Sequence, residues 1–456
     1  MALTTMIQYD EEWKSFFKTN IPAKNEFKTL SGHKAFSNEY CERAKYSLSN
    51  RYYSTVVGTA FDYLARWLIA KHVPSNANES YGNLIAENYL YMCQHVVDNK
   101  KMDVNMQDTY DNAIETCKQF IQGQAEKSKI IEIAILFAKL EQLYRRQARE
   151  WDIDIDYLFQ CESEIVSDLE NLCGVFEDQF IHNLLKKHST VVYNPTFGGA
   201  SVICGGADAD IYIDGTLYDF KCTKKHGYVW NEVAQIVGYY LLDCISKKNE
   251  DKDNYLKGHE IKRVAFYRAR YGEVEYVDIS DTTLSELIDT FEDILGKDKY
   301  QEYFERIKAR ELEMQAQQEA IRKKELEEKR LYKKLLKSGD KNEIMLYKIK
   351  KFCGYGDWFD QDIRNCKDKK RRKQLLQWTV EWSLNSLVYS KIDVAKLKRI
   401  MEKNNITVED ISKYTGKTIA TVKKWTKGQS TPRVGSFIKL LEILNCNKED
   451  IIINNR

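Results

Sequence analysis

The spacing of apolar residues changes along the chain. In residues 1–185, segments such as "YYSTVVGTAFDYLARWLIAKHV" and "IIEIAILFAKLEQLYRR" carry apolar residues three and four positions apart, which predicts amphipathic helices. Between about residues 190 and 280, short β-rich runs such as "ADIYI" and "TLYDFKC" surround one helical stretch, "VWNEVAQIVGYYLLDCI". The pattern predicts a helical region followed by an α/β core.

Beyond residue 296 the pattern is helical again but mostly polar. Residues 297–337 are dense in Glu and Lys without a sustained apolar seam, which favours a solvated spacer helix over a coiled coil. We therefore predict an α+β multidomain protein. Its parts are a helical region at 1–185 that contributes to the core at 186–296, a charged helical linker with a small helical region of unassigned role at 297–390, and an all-α domain at 391–456.

Composition changes this picture little. Hydrophobic residues make up 43% and charged residues 30% of the 456 positions, as expected for a folded protein. The first thirty residues do not resemble a signal peptide, and no run of about 18 apolar residues occurs, so we expect a soluble, cytoplasmic protein without membrane contact. The eleven cysteines are scattered without a C-x-x-C pair, which favours reduced, buried thiols over disulfides or metal ligands.

An Asp-Gly pair at residues 214–215 separates two β-rich runs, and this connection predicts a tight hairpin because both positions accept positive φ. The turn fixes a register in which Asp210 faces Asp219 and Asp208 faces Lys221. The second pair reads as an ordinary ion pair. Opposed carboxylates, however, repel unless one is protonated or a cation lies between them. Asp210 and Asp219 are therefore candidate ligands for Mg²⁺, or for Mn²⁺ in its place.

Asp210 followed by Asp219-Phe220-Lys221 resembles the PD-(D/E)XK nuclease signature, in which an acid on one strand and an acid-x-Lys on its antiparallel neighbour bind the metal. The resemblance implies phosphodiester hydrolysis, with Asp210, Asp219 and Lys221 as catalytic residues. Lys221 would orient or activate the attacking water, or stabilise the developing negative charge.

Three further segments extend the resemblance. Gln235 and Tyr239 have the spacing of the Gln-x-x-x-Tyr motif of RecB-type exonucleases, which borders the site and contacts substrate DNA; without the resemblance they read as surface and packing residues. Asp62, in "VGTAFDYLARW", stands where those enzymes carry a metal-binding histidine, and is either a replacement ligand or a helix-surface aspartate. Glu177 is a candidate for a further acidic ligand, with a plain exposed glutamate as the alternative.

With "AKLEQLYR" and "YNPTFGGA", these segments resemble a family of functionally obscure bacterial proteins with PD-(D/E)XK cores, over roughly residues 50–280. The Gly-x-x-x-His histidine and the four-cysteine iron–sulfur pattern of some relatives are both missing.

Residues 391–456 resemble the Cro/lambda-repressor type of helix-turn-helix domain. Gly416 marks the turn, Thr418 caps the recognition helix and Trp425 packs inward. The domain carries a net charge of +7, against −5 for residues 1–390, which favours DNA over a protein partner. The resemblance implies base contacts from the first part of the recognition helix and phosphate contacts from two other lysines. The predicted base-contacting residues are Thr418, Ala420, Thr421 and Lys424, and the predicted phosphate-contacting residues are Lys423 and Lys427.

Together these features predict a Mg²⁺-dependent DNA endonuclease or exonuclease that its helix-turn-helix delivers to DNA, in defence against foreign DNA such as that of phages. A homodimer through the helix-turn-helix or the charged helix is a further expectation. Two alternatives stay open. One is a transcriptional regulator with a catalytically inactive nuclease-like module, and the other is an RNA-directed nuclease.

Overall fold

The computed structural model describes residues 2–82, 84–353, 363, 365–386 and 392–452. The chain divides into two compact units, residues 1–309 and residues 310–456. The first unit contains a mixed sheet between layers of helices, and the helices of the second unit include those of the C-terminal domain. The predicted α+β class is therefore confirmed.

Most of the first unit is helical, as the apolar spacing of residues 1–185 predicted. The helices of this unit begin near the N-terminus and continue to the long helix that crosses the division between the units. They are α1 (Leu3–Tyr9), α2 (Glu11–Asn20), α3 (Arg51–His72), α4 (Leu90–Asn99), α5 (Met106–Ile121), α6 (Lys127–Arg145), α7 (Ile155–Leu158), α8 (Ser163–Phe176), α9 (His182–Leu184), α10 (Gly198–Ile203), α11 (Trp230–Lys248), α12 (Ile288–Leu295) and α13 (Lys297–Ser338).

The sheet has the strand order β1-β6-β5-β4-β3-β2. Neighbouring strands are antiparallel except β4 and β5, which are parallel and are connected through α11. The strands are β1 (Lys28–Thr29), β2 (Val191–Tyr193), β3 (Ile211–Ile213), β4 (Thr216–Lys221), β5 (Arg263–Arg268) and β6 (Glu273–Asp278).

Helices cover both faces of the sheet, so its strands are apolar on both sides. Ile211 and Tyr218 belong to a core shared with α3, α5, α6 and α8. Tyr212 and Leu217 point the other way, into a core shared with α1, α2, α11 and α12. Because side chains alternate along a strand, Asp219 lies on the face of β4 that carries Leu217 and is covered by α11.

The second unit begins within α13, whose residues 308–331 are exposed throughout, in agreement with its lack of an apolar seam. The helices that follow are α14 (Lys341–Cys353), α15 (Lys369–Ser386), α16 (Val394–Lys403), α17 (Val408–Thr415), α18 (Ile419–Thr426) and α19 (Val434–Leu444).

Helices α14 and α15 share one apolar core with the C-terminal domain. Ile349 of α14 and Val380 of α15 are buried in the same cluster as Leu441 of α19. Lys348 Nζ also lies 2.7 Å from Glu442 Oε2. The segment to which the sequence assigned no role thus contributes packing to this domain. None of the described helices has both the length and the apolar character needed to cross a membrane.

Candidate functional site

The β3–β4 hairpin forms with the predicted register. Asp214 and Gly215 have φ values of 46° and 91°, which a two-residue turn with both positions left-handed requires. Ile211 is opposite Tyr218, and Ile213 is opposite Thr216. The paired ladder ends there, and Asp210 and Asp219 are the residues that come directly beyond this last pair on the two chain segments.

Asp210 and Asp219 place two carboxylates close together where β3 begins. Asp210 Oδ2 accepts a hydrogen bond of 2.6 Å from the backbone N–H of Phe220. Burial, followed by the charge of Asp219, raises the pKa of Asp210 to about 7. The like-charge conflict predicted from the register therefore exists, and protonation of Asp210 is one way for the protein to relieve it.

Lys221 lies beside Asp219 on the same strand. Its Nζ is 2.6 Å from Asp219 Oδ2, although that oxygen has no aligned hydrogen bond among the described residues. Burial lowers the pKa of Lys221, but the charges of Asp219 and Glu232 outweigh it, and the net shift is upward. Lys221 is therefore charged at neutral pH.

The predicted ion pair between Asp208 and Lys221 is wrong. Strand β3 begins only at Ile211, and Asp208 forms an isolated bridge with Thr196 instead of continuing the hairpin ladder. Asp208 Oδ2 lies 3.9 Å from Arg145 Nη2, at the C-terminal end of α6. The register inferred from the turn thus holds as far as the pair of Ile211 and Tyr218, where the ladder ends.

Asp62, from α3, adds a third carboxylate. Its side chain is partly exposed, on a helix most of whose other residues in that turn are buried. Burial and the charge of Asp210 raise the pKa of Asp62 well above its ordinary value; Glu141 and Asp219 contribute in the same direction, while Arg66 opposes them. We call Asp62, Asp210 and Asp219 the carboxylate cluster.

Gln235 and Tyr239 border the carboxylate cluster from α11. Gln235 Nε2 donates a hydrogen bond of 2.8 Å to Tyr239 Oη, so the two residues share a helix face, as their spacing predicted. Tyr239 is buried, with its ring centroid 5.7 Å from that of Phe197. Burial, followed by the charges of Asp208 and Asp219, raises the pKa of Tyr239 well above its ordinary value.

Glu177 lies outside the cluster. It begins a π-helical segment after α8 and forms an ion pair with Lys127 of α6. Its charge is not among those that dominate the pKa of Asp62 or Asp210. The structure thus brings together every predicted residue of this site except Glu177.

Three charged residues near the cluster were not predicted from the sequence: Glu141, Arg145 and Arg66. Glu141 is buried, accepts a hydrogen bond of 2.6 Å from Tyr63 Oη and lies 2.7 Å from Arg145 Nε. Arg66 lies four residues after Asp62, as Arg145 lies four residues after Glu141. Opposite charges at this spacing on otherwise apolar helices are the signal that could have identified them.

The site offers oxygen ligands for a metal ion, but the protein side chains alone do not complete a coordination shell. In the part of the chain that the structure describes, no group of three or more His, Cys, Asp or Glu side chains converges as a metal site. Mg²⁺ typically takes one or two carboxylates and completes its shell with water and substrate phosphate. Asp210 and Asp219 supply two carboxylates and fit that smaller requirement, although Lys221 Nζ already lies 2.6 Å from Asp219 Oδ2.

The C-terminal domain has the predicted helix-turn-helix geometry. Gly416 ends α17 with a φ of 69°, and Thr418 caps α18 by accepting a hydrogen bond of 3.3 Å from the Thr421 N–H. Trp425 is buried, as predicted. Of the predicted DNA-contacting residues, only Thr421 is partly buried, since its N-terminal position in α18 faces the cap. The exposed ones are Thr418, Ala420, Lys423, Lys424 and Lys427.

Comparison with known proteins identifies this domain. Residues 397–451 match the model of the helix-turn-helix family HTH_3. The C-terminal unit therefore contains a helix-turn-helix domain of the Cro/C1 type, a DNA-binding class. No curated protein and no solved structure matches the chain. The match does not reach residues 50–280, for which the resemblance to PD-(D/E)XK nucleases stays a prediction.

Proposed function

We propose that the protein is a metal-dependent nuclease that hydrolyses phosphodiester bonds in DNA, and that its helix-turn-helix domain delivers it to DNA. The carrying observation is the closeness of Asp210 and Asp219: Asp210 Oδ2 accepts from the Phe220 N–H, next to Asp219, and the charge of Asp219 raises the pKa of Asp210, while Lys221 Nζ lies 2.6 Å from Asp219 Oδ2. Partly or fully buried carboxylates that repel one another cost stability, and such clusters occur preferentially at functional sites.

Asp210 and Asp219 would hold Mg²⁺ or Mn²⁺, while Asp62, which does not converge with them as a third ligand, would add negative charge nearby. Support comes from the charge conflict between Asp210 and Asp219, which a bound cation would remove. When bound, the ion would polarise a phosphoryl oxygen and lower the pKa of a coordinated water.

The remaining residues of the site have roles that follow from their charge and position. Lys221 carries a proton at neutral pH, so its Nζ can orient the attacking water by hydrogen bonding or stabilise negative charge on the phosphate. Gln235, which is partly exposed and donates a hydrogen bond to the buried Tyr239 on α11, would position the substrate backbone.

The direct test is a cleavage assay on linear, circular and single-stranded DNA and on RNA, with and without Mg²⁺. We expect Mg²⁺-dependent cleavage by the wild type and a loss of about a hundredfold or more in Lys221→Ala, the size associated with removing one charge-stabilising group. Lys225→Ala is the matched control, because Lys225 is exposed shortly after the same strand. Equal cleavage by Lys221→Ala and the control would refute the proposed site.

The substrate arms of this assay also test the finer expectations. Cleavage of circular DNA indicates an endonuclease, and cleavage restricted to linear DNA indicates an exonuclease. Preference for RNA would favour the RNA-directed alternative, since the metal chemistry does not depend on the sugar. A role in defence against foreign DNA and a homodimer stay predictions, to be tested by phage challenge of expressing cells and by sedimentation.

A second candidate is a DNA-binding regulator whose α/β module is catalytically inactive. It is favoured by the match of residues 397–451 to a helix-turn-helix family, which supports DNA binding and requires no catalysis. This candidate predicts sequence-specific binding to duplex DNA, and no cleavage of any substrate in the presence of Mg²⁺ or Mn²⁺.

A further inference from the structure

A polar stripe runs along one face of α3, past the carboxylate cluster. Tyr52, Thr55, Thr59, Asp62 and Arg66 are spaced three and four residues apart, which places them on the same side of the helix. Tyr52, Thr55 and Thr59 line a cavity of about 680 Å³, and Arg66 lines another of about 890 Å³. Asp62 lies between the two, so the stripe connects both cavities to the cluster.

The smaller cavity, which we call the tyrosine cavity, combines ring faces with guanidinium groups. Tyr52 is 79% exposed although it stands on a helix whose other faces are buried. Gln142 Nε2 is buried beside the cavity and has no hydrogen-bond partner among the described residues. The lining side chains that matter here are Tyr52, Tyr53, Arg145, Arg146 and Gln142; Tyr157 also lines the cavity, but Lys139 Nζ already lies 3.9 Å from its ring centroid.

Arg145 links the tyrosine cavity to the larger one. It lines the tyrosine cavity, and its Nη2 lies 3.9 Å from Asp208, which lines the larger cavity together with Arg66. Arg66 Nη2 donates to Asn194 Oδ1, while its buried Nε is without a hydrogen-bond partner in the described part of the chain. The two arginines therefore line different cavities, and both Arg66 and Glu141, the partner of Arg145, affect the pKa of Asp62.

We propose that this groove, from the tyrosine cavity to Arg66, binds a single-stranded nucleic acid. Aromatic rings that stack on bases and arginines that pair with phosphates are the features by which proteins hold single strands. A duplex would leave the tyrosines without partners, because its bases already stack on one another. The inference rests on the proposed function only in that the bound strand passes the carboxylate cluster.

The length of the stripe limits the bound segment. From Tyr52 to Arg66, fourteen residues at about 1.5 Å each give about 21 Å. At about 3.4 Å per stacked nucleotide, this length holds about six nucleotides. Affinity should therefore increase with oligonucleotide length up to about six nucleotides and then level off.

The test is fluorescence anisotropy with the full chain in Mg²⁺, in a Lys221→Ala background that prevents hydrolysis under the proposed function. The single-stranded probes are fluorescein-labelled oligothymidylate and oligouridylate of three to twelve nucleotides. The duplex probe has the length of the longest of these, twelve base pairs. Tyr52→Ala should weaken single-strand binding about tenfold, the effect of losing one base stack, and leave duplex binding unchanged. Tyr91→Ala is the control, since Tyr91 is also exposed, at 73%, but lies on α4 and does not line the cavity.

A second variant tests whether the cavity contacts the phosphate groups of the bound strand. Arg146→Gln should reduce the slope of log affinity against log salt by about 0.7 for the single strand, as expected for one lost contact. Single-strand binding that is indifferent to both Tyr52→Ala and Arg146→Gln would overturn the groove, whatever the cleavage assay gives. Tyr52-dependent binding without any cleavage by the wild type would instead refute the nuclease and retain the groove. The affinities for oligothymidylate and for oligouridylate show whether the groove prefers DNA or RNA.

Discussion

The helix-turn-helix domain and the carboxylate cluster place their polar groups in opposite environments. The recognition helix exposes Lys423, Lys424 and Lys427 to solvent, where phosphates can approach them at little desolvation cost. Asp210 and Asp219 are instead set against each other beneath α11, where burial raises the pKa of Asp210. The first region is suited to binding a polyanion and the second to holding a cation, so the two regions should be separable by mutation.

The largest expected effect is the loss of cleavage when a residue of the carboxylate cluster is replaced. Asp219→Asn keeps the shape of the side chain but removes its charge, the partner of Lys221, and a proposed metal ligand. We expect cleavage to fall to background while duplex DNA affinity, measured by anisotropy, stays within twofold of wild type. A parallel loss of duplex affinity would show that the two regions are not independent.

The second prediction concerns duplex DNA affinity when lysines of the helix-turn-helix domain are replaced. Replacing Lys423 and Lys427 by Gln should lower duplex affinity and reduce the salt slope by about 0.9 for each lost phosphate contact. Cleavage at saturating protein should persist. Lys439→Gln, exposed on α19 of the same domain, is the control. Point variants are preferable to deleting residues 391–456, because α14 and α15 share their core with α19 and a deletion would expose it.

Signals close together in sequence were enough to predict the helix-turn-helix. Gly416, Thr418 and Trp425 report the turn, the cap and the buried face within ten residues of one another, and each depends on local backbone chemistry. The hairpin was predictable for the same reason, since Asp214 and Gly215 determine the register of the residues next to them.

The rest of the site depends on contacts between distant segments, which local patterns do not specify. The packing of α3 on α6 brings Glu141 and Arg145 to the cluster, and nothing in the sequence near Asp210 indicates this. Asp208 was paired incorrectly because a turn fixes the register only while the ladder continues, and β3 begins at Ile211. Glu177 was proposed from a motif position, and its contact with Lys127 arises from tertiary packing.

A smaller effect is expected for stability in the absence of metal. Asp210→Asn keeps the acceptor for the Phe220 N–H but removes the charge opposite Asp219. In chelator it should raise the free energy of unfolding by about 0.5 to 1 kcal/mol, the size of a cross-strand pair, and Mg²⁺ should stabilise it less than wild type. Thermal unfolding monitored by circular dichroism measures both quantities.

The raised pKa of Asp210 predicts how the stability difference between Asp210→Asn and wild type changes with pH. The folded pKa of Asp210 is about 7, above the value of about 3.9 for an unfolded aspartate. Between these values the folded protein binds more protons than the unfolded chain, so the contribution of Asp210 to stability falls as pH rises from about 4 to about 7 and then levels off. The advantage of Asp210→Asn over wild type should therefore grow across that interval. An advantage independent of pH would mean that charge is not its cause.

The smallest expected effect concerns Asp208, the acid that lies next to the cluster in sequence. Its contact with Arg145 is 3.9 Å long, and the side chains are 34% and 55% exposed, so solvent screens the pair. Asp208→Asn should change the free energy of unfolding by no more than about 0.5 kcal/mol in chelator, and Mg²⁺ should stabilise this variant as much as wild type. Arg145 keeps its closer contact with Glu141, at 2.7 Å, which leaves no charge without a partner. If Asp208→Asn instead abolishes stabilisation by Mg²⁺ while Asp210→Asn retains it, Asp208 is the metal ligand and the cluster has been assigned to the wrong aspartate.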